Sequence, residues 1–265
     1  MAIYIDGKKR VEDTRGLVLV SEKEFIGKLL AIAGDVRMLW MPSLTGTTAT
    51  DKSRHEATIT YSKEISTWDT PPSKLGNGTV ATFDGTDEEG DTPDNNRLSF
   101  GDGANDSPFS VLALINTATL SGNQEVIAKE SSAAAAEWRM QITSGKLDFY
   151  LSDESASSSL NRGSTASLVV DTWLLGGYTY DGSSLHAGAK MWKDGVELAS
   201  TGSFSSTYTA MENTVAITGI AKRYSSAERF FNGKMGFVLI TGKELNADEQ
   251  WAIKELVNGY YGLSL

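Results

Sequence analysis

Trp138–Leu151 reads WRMQITSGKLDFYL, and its alternation decides the fold class. Trp138, Met140 and Ile142 fall on one side of an extended chain, with Arg139 and Gln141 on the other. After Ser144-Gly145, Leu147, Phe149 and Leu151 alternate with Asp148 and Tyr150. A strand sends successive side chains to opposite faces, so this stretch is a β-hairpin with one buried and one wet face. Asp148, isolated between apolar residues, is read as outward-facing.

The same grammar extends in both directions. Phe109–Ile115 is apolar on both faces, as a central strand of a sandwich must be. Trp173–Tyr180 is a strand ended by Asp181-Gly182, and Lys190–Trp192 and Val196–Leu198 flank Asp194-Gly195, the two-residue hairpin signature. Arg37–Pro42, Ala57–Tyr61, Val80–Phe83, Val215–Ile220 and Gly233–Thr241 complete the strands. Ser43–Ser53, Asp69–Gly78, the acidic Thr86–Asn96, Ser155–Ser159 and Ser203–Thr207 read as loops. The pattern predicts an all-β, antiparallel two-sheet sandwich.

Two segments depart from it. In residues 1–34, Ile3 and Ile5 lead into Asp6-Gly7, a strand-and-turn signal. A helix follows, with Ser21 as N-cap, Glu24 closing a capping box, Val20 stapling Phe25 and Gly34 as stop. Phe25, Leu29, Ile32 and Ala33 form its apolar stripe, which needs a partner surface because so short a helix is marginal alone. The stripe either packs on its own sandwich or makes residues 1–34 an anchoring arm, an extension to a domain spanning 35–265. The second helix, Asn246–Asn258, is capped by Asn246 with Glu249, carries Ile253, Leu256, Val257 and Tyr260 on one face, and ends at Gly259.

Composition narrows the function. Lys and Arg total 24 against 34 Asp and Glu, and a net charge of −10 repels phosphate backbones, so no nucleic-acid partner is expected. There are no cysteines, hence no disulfide or thiolate–zinc framework. MAIYIDGKKR lacks a leader-like apolar run and no stretch approaches a membrane span, so an unprocessed soluble chain without a membrane partner is expected. His55 and His186 have no Ser or Cys motif to serve, and each reads as a surface or loop residue.

The order of Phe109-Ser110-Val111, Trp138, Leu147-Asp148-Phe149, Trp173, Tyr178-Thr179-Tyr180-Asp181-Gly182, Trp192-Lys193-Asp194-Gly195, Phe231-Asn232-Gly233-Lys234-Met235 and Leu245-Asn246-Ala247-Asp248-Glu249 resembles the laminin-G-like, concanavalin A-like jelly rolls. The likeness covers roughly residues 37–265, and the version with Trp251-Ala252-Ile253-Lys254 and Tyr261-Gly262-Leu263 is similar to laminin-G-like proteins of tailed-phage structural modules. It implies a jelly roll, and a family of lectins, glycan hydrolases, adhesion modules and virion proteins.

Glucanase members carry acids at alternate positions of one strand, since retaining hydrolysis needs two carboxyls about 5 Å apart. The nearest echo is Glu89-Gly90-Asp91, with no further Glu at the required offset, so no catalytic residues and no enzyme are expected. No cofactor is required; calcium is the candidate the resemblance suggests, with Asp84, Asp87, Asp91 and Asp94, helped by Glu88, as oxygen donors and Asp102, Asn105 and Asp106 as a second group. Trp138, Trp173 and Trp192 read as core and Trp251 as an edge residue. Trp68, Tyr208 and Tyr224, in polar loops, are the aromatics placed to meet a glycan or a protein.

The leading expectation is therefore a non-enzymatic phage virion protein, decorating the capsid or attached to the tail. Its partners would be other virion proteins and further copies of itself, in a homo-oligomer such as a trimer. The alternative is a carbohydrate-binding host-adhesion module for cell-surface glycans, calcium-dependent or not; a glycan hydrolase has the least support.

Overall fold

A computed structural model describes residues 4–5, 8–9, 20–132, 134–204, 207–224 and 229–265. Near the N-terminus β1 (Tyr4–Ile5) pairs antiparallel with β2 (Lys8–Lys9), and residues 10–19 lie outside the described residues. The body is a sandwich of two antiparallel sheets.

One sheet has nine strands, in the spatial order β17 (Ser200–Phe204), β13 (Ser158–Ser164), β12 (Lys146–Asp153), β11 (Ala135–Thr143), β10 (Asn123–Ser132), β18 (Thr218–Ile220), β8 (Gly90–Thr92), β5 (Thr58–Tyr61) and β4 (Thr48–Thr50). The other runs β16 (Val196–Leu198), β15 (Ala189–Lys193), β14 (Leu174–Tyr180), β9 (Phe109–Thr117), β21 (Asn232–Thr241), β7 (Gly78–Asp84) and β6 (Ser73–Leu75), with β3 (Val36–Trp40) also paired to β21. A two-stranded hairpin, β19 (Lys222–Arg223) and β20 (Arg229–Phe230), stands apart.

The opening hairpin pairs as its alternation requires, with Met140 opposite Phe149 and Ile142 opposite Leu147. Ser144 and Gly145 both have positive φ, 51° and 74°, the tight turn whose twist matches the strands. All nine residues of β9 are buried, because both its faces are covered. Val111, Ala113 and Ile115 enter the core between the sheets, whereas Leu112 and Leu114 face a second apolar layer.

That second layer is made by the helices. α1 (Glu22–Ala33) buries Phe25, Leu29 and Ala33, and α2 (Ala247–Tyr261) buries Ile253, Leu256, Val257, Tyr260 and Tyr261 against the outer side of the eight-stranded sheet. The Phe25 ring stacks on Tyr260 at 4.2 Å and meets Phe237 of β21 at 6.0 Å. The helix of the first 34 residues is thus part of the sandwich body, because its apolar stripe finds its partner on its own chain. Ser21 caps α1 by accepting from the Glu24 N–H, while the Glu24 carboxylate accepts from Lys28 one turn on. The capping box of Asn246 and Glu249 forms as expected. Gly259 does not stop α2: the helix continues to Tyr261, which is wholly buried and holds the last turn down, and Gly262, at φ 67°, takes the left-handed cap.

Other expectations change. The loop at Ser43–Ser53 contains β4, Asp69–Gly78 contains β6, and the acidic Thr86–Asn96 contains β8, each too short and polar for a periodic signal. Serine-rich Ser155–Ser159 and Ser203–Thr207 supply the start of β13 and the end of β17, respectively. Leu98 closes a 3₁₀ turn, Asn96–Leu98. Trp173 precedes β14, half-buried against the helix layer, whereas Trp138 and Trp192 are buried and Trp251 is 57% exposed. No helix among the described residues is long and apolar enough to cross a membrane.

Candidate binding face

The helices seal one outer face of the sandwich; the outer face of the nine-stranded sheet carries polar side chains instead. Strand register aligns Ser203, Asn161, Tyr150, Arg139, Ala128, Gly219, Asp91, Thr60 and Thr48 in one row across all nine strands. Their chain neighbours Leu160, Leu151, Trp138, Ile127, Ile220 and Ile59 point into the core, so period two sends the row outward. Two residues further along, or three in β10 where a bulge adds one, Glu125, Gln141, Asp148 and Gly163 form a parallel outward row.

The hairpin of β19 and β20 lies over the middle of this face. It can lie close because Gly219 has no side chain: a Cβ there would stand 2.9 Å from the Tyr224 ring and 2.6 Å from the Lys222 carbonyl. The Tyr224 hydroxyl sits between Glu89 and Asp91, 3.1 Å from the latter, and Lys222 lies over the Tyr224 and Phe230 rings at 4.4 and 5.0 Å. Glu89-Gly90-Asp91 therefore does present two acids on one face, but Tyr224 bridges them and Lys222 lies 3.8 Å from Glu89.

Under the hairpin is a charge cluster. Glu125 is fully buried and has three guanidinium groups around it, Arg139 at 3.7 Å, Arg223 at 3.8 Å and Arg229 at 3.9 Å. None of these is a hydrogen bond, and among the described residues neither Glu125 oxygen has a hydrogen-bond partner. Burial outweighs the pull of the arginines and pushes its carboxyl up to about 7. Glu130 is held directly by Arg139 at 2.6 Å, and the Arg139 guanidinium stacks over Tyr150 at 3.6 Å. Gln141 donates to Asp148 at 2.6 Å and accepts from Arg229 at 3.0 Å. Burial raises the Asp148 carboxyl as well.

Beside this cluster opens a polar cleft of about 420 Å³, lined among others by Glu130, Arg139, Tyr150, Ser152, Glu154 and Arg223. A second cleft of about 370 Å³ continues the face toward Lys146, Asp148, Asn161 and Ser203. Planar amide, carboxylate and guanidinium groups beside one aromatic ring offer paired hydrogen bonds and a stacking surface.

Among the described residues, two of the calcium candidates, Asp84 and Glu88, come together with Asp69, and the others take separate partners. The Asp84 carboxylate caps its own turn by accepting from the Thr86 and Asp87 N–H groups, Asp87 pairs with Lys63 at 3.0 Å, Asp91 meets Tyr224, and Asp94 pairs with Lys129 at 2.7 Å. The acids brought within 4.8 Å of one another are Asp69, Asp84 and Glu88. Glu88, raised by burial, spends its two oxygens on the backbone N–H groups of Asp69 and Asp84, at 2.9 and 2.8 Å. In the second group Asp102 accepts from Ala104 and Asn105 within its own turn, while Asp106 accepts from the Tyr180 and Tyr208 hydroxyls, both at 2.7 Å.

The aromatic expectations divide. Trp68 is 2% exposed and packs in the core against Tyr61 and Phe83, because the polar segment around it folds back onto β7. Tyr208 is buried with its hydroxyl on Asp106. Tyr224 does lie on the candidate face. His55 is half-buried, its pKa lowered by burial and by Arg97 and Arg54, and His186 sits in a 3₁₀ turn whose carbonyl accepts from Arg162. Glu125, Glu130 and the arginines that meet them escaped sequence reading, since Gln124–Glu130 is too charged to resemble a strand. The available signal was reciprocal charge: acids at 125 and 130, and Lys222, Arg223 and Arg229 in one later segment.

A family model described as the concanavalin A-like lectin/glucanases superfamily matches residues 84–249. Among solved structures, the chain is similar to the binding domain of botulinum neurotoxin serotype G, with 14% identity, a TM-score of 0.60, and coverage of 84% of this chain and 51% of that one. It is similar to the binding domain of Paraclostridial Mosquitocidal Protein 1, at 8% identity and TM-score 0.59, covering 84% and 52%. It thus spans about half the length of these toxin binding domains. Domain 4 of AbnA, an extracellular GH43 arabinanase from Geobacillus stearothermophilus solved with arabinotriose, matches at 12% identity and TM-score 0.54, covering 83% and 98%. No curated protein matches the chain. With a family model spanning well over half of its length and a two-sheet antiparallel sandwich to match, the chain belongs to the concanavalin A-like lectin/glucanase superfamily.

Proposed function

We propose that this chain is a non-catalytic carbohydrate-binding module that receives its ligand on the outer face of the nine-stranded sheet, at the Arg139–Tyr150 cleft. The observation that carries this reading is the opposite treatment of the two outer faces. One is closed by α1 and α2, and the other is lined by hydrogen-bonding groups beside Tyr150. A polyhydroxylated ligand suits such a surface, since vicinal hydroxyls pair with planar carboxylate, amide and guanidinium groups while a sugar's C–H face rests on an aromatic ring. Hydrolysis would need two carboxyls open to substrate. Here Glu125 is sealed beneath arginines and Glu130 is held by Arg139. The match to nearly the whole of a domain solved with arabinotriose supports the same reading.

The setting we propose is a tailed-phage virion, on capsid or tail, which rests on the sequence likeness to phage structural modules; the protein would then be found in purified particles. Binding is tested on a glycan array. Tyr150→Ala should weaken the best ligand by about tenfold or more, and Trp251→Ala, on a helix of the opposite face, should leave it unchanged. Absence of any glycan binding, or binding indifferent to Tyr150→Ala, would overturn the proposal.

A further inference from the structure

On the core side of the same sheet lies a group of charges that the binding face does not use. Lys129 is fully buried. Its Nζ lies 2.7 Å from Asp94 Oδ1 and 2.9 Å from Glu137 Oε1, and it donates to the Ala216 carbonyl at 2.8 Å. Asp94 follows β8, Glu137 is in β11 next to β10, and both reach the lysine from opposite sides. The ammonium and the Glu137 carboxylate are fully out of water and Asp94 is partly so, which is costly for charged groups however well they are arranged.

We propose that Lys129 and Asp94 condense to an intramolecular isopeptide bond, with Glu137 as the proton carrier. Glu137 takes a proton from the Lys129 ammonium, and the neutral Nζ attacks Asp94 Cγ. Glu137 then returns that proton to one Asp94 oxygen, the second nitrogen proton follows, and the Cγ–O bond breaks. An N–C bond forms, a C–O bond breaks, one water leaves, and Glu137 ends as it began; no oxidant or other reactant is consumed.

The geometry assigns the roles. Glu137 Oε1 is already fixed by the Thr214 N–H and hydroxyl, both at 2.9 Å, and by Ser99 at 3.2 Å, so this carboxyl is held as a catalyst should be. Its Oε2 is buried, has no hydrogen-bond partner among the described residues, and is open to a proton. Burial raises the Glu137 carboxyl, which favours its taking one. The Asp94 side chain is 29% exposed, whereas that of Glu137 is fully enclosed, so the leaving water has a path from Asp94. Holding amine and carboxyl in contact supplies effective concentrations of about 10⁵–10⁸ M, which offsets the unfavourable condensation seen in dilute solution.

The bond has a structural purpose. It would cross β18, which is held by three residue pairs to β10 on one side and three to β8 on the other, and would lock the middle of the nine-stranded sheet. A chain without cysteine has no disulfide with which to do so.

Intact-protein mass spectrometry of the purified full chain decides the matter. The folded protein should be lighter than its sequence by the mass of one water, and tandem spectra should show a branched peptide joining residues 94 and 129. Asp94→Asn should lose ammonia in place of water, Asp94→Ala should keep its full mass, and Glu137→Ala should remain unlinked. A folded wild-type chain at its full sequence mass would overturn the proposal, and a Glu137→Ala chain that still links would overturn the role of Glu137.

Discussion

Glu125 shows how strongly one side chain depends on what surrounds it. Its carboxyl titrates near 7 in the folded chain against 4.5 for a free glutamate, so the native state binds the proton more tightly than the unfolded state. The resulting stabilisation is complete below pH 4.5 and lost as pH rises through 7, a swing of about 3 kcal/mol. Glu125→Gln keeps the neutral form at every pH. Relative to that variant, the wild-type melting temperature should fall between pH 5 and pH 8; parallel curves would exclude the assignment. Trp68 makes the complementary point, because its polar neighbours in sequence suggested a loop aromatic and its position in space is the core. Trp68→Ala should cost about 3–5 kcal/mol in denaturant unfolding and leave ligand affinity untouched in the folded fraction. Neither fact was legible in the sequence, since both rest on residues distant in the chain: Arg223 and Arg229 for Glu125, Phe83 for Trp68.

Elements with a strong period were readable, and elements without one were not. The hairpin from Trp138 to Leu151, β9, and the β15–β16 turn at Asp194-Gly195 needed only alternation and turn chemistry, and each stands where expected. Both helices declared themselves through their caps, although α2 runs past Gly259 because burial of Tyr260 and Tyr261 outweighs the glycine's helix-breaking preference. β10 was missed because its outward and inward positions alike carry charge, Glu125 and Glu130 on one side and Lys129 on the other. β8, three residues long, is a strand only because its neighbours pair with it, and the strand expected at Val215–Ile220 shortens to Thr218–Ile220, the part that β10 and β8 pair with. α1 was identified as amphipathic, but its stripe does not say what it covers. Its stacking on Tyr260 makes it a structural layer, so Phe25→Ala should destabilise the whole domain by about 3–5 kcal/mol in denaturant unfolding. A change confined to local fraying of the helix would show instead that α1 is an independent appendage.

At the scale of the molecule, the two outer faces define what this protein offers to others. Helices bury one, and a nine-residue row, polar except at Ala128 and Gly219, with a charged cluster beneath a short hairpin, occupies the other. A glycan bound at Tyr150 should therefore slow amide exchange in β11, β12 and β13 while leaving α1 and α2 unaffected, measured by hydrogen exchange on the intact chain. The sequence by itself determined the all-β class, the N-caps of both helices, the principal turns and the absence of cysteine chemistry, because alternation, capping and turn conformation are local and are written in consecutive residues. Only the tertiary structure decided which acids meet which bases, that Asp94 faces a lysine, that Trp68 is core, and where the open face lies. Those depend on strand order and register, which bring residues 91, 128, 139, 150 and 219 into one row across five strands, and no local pattern encodes which strands become neighbours.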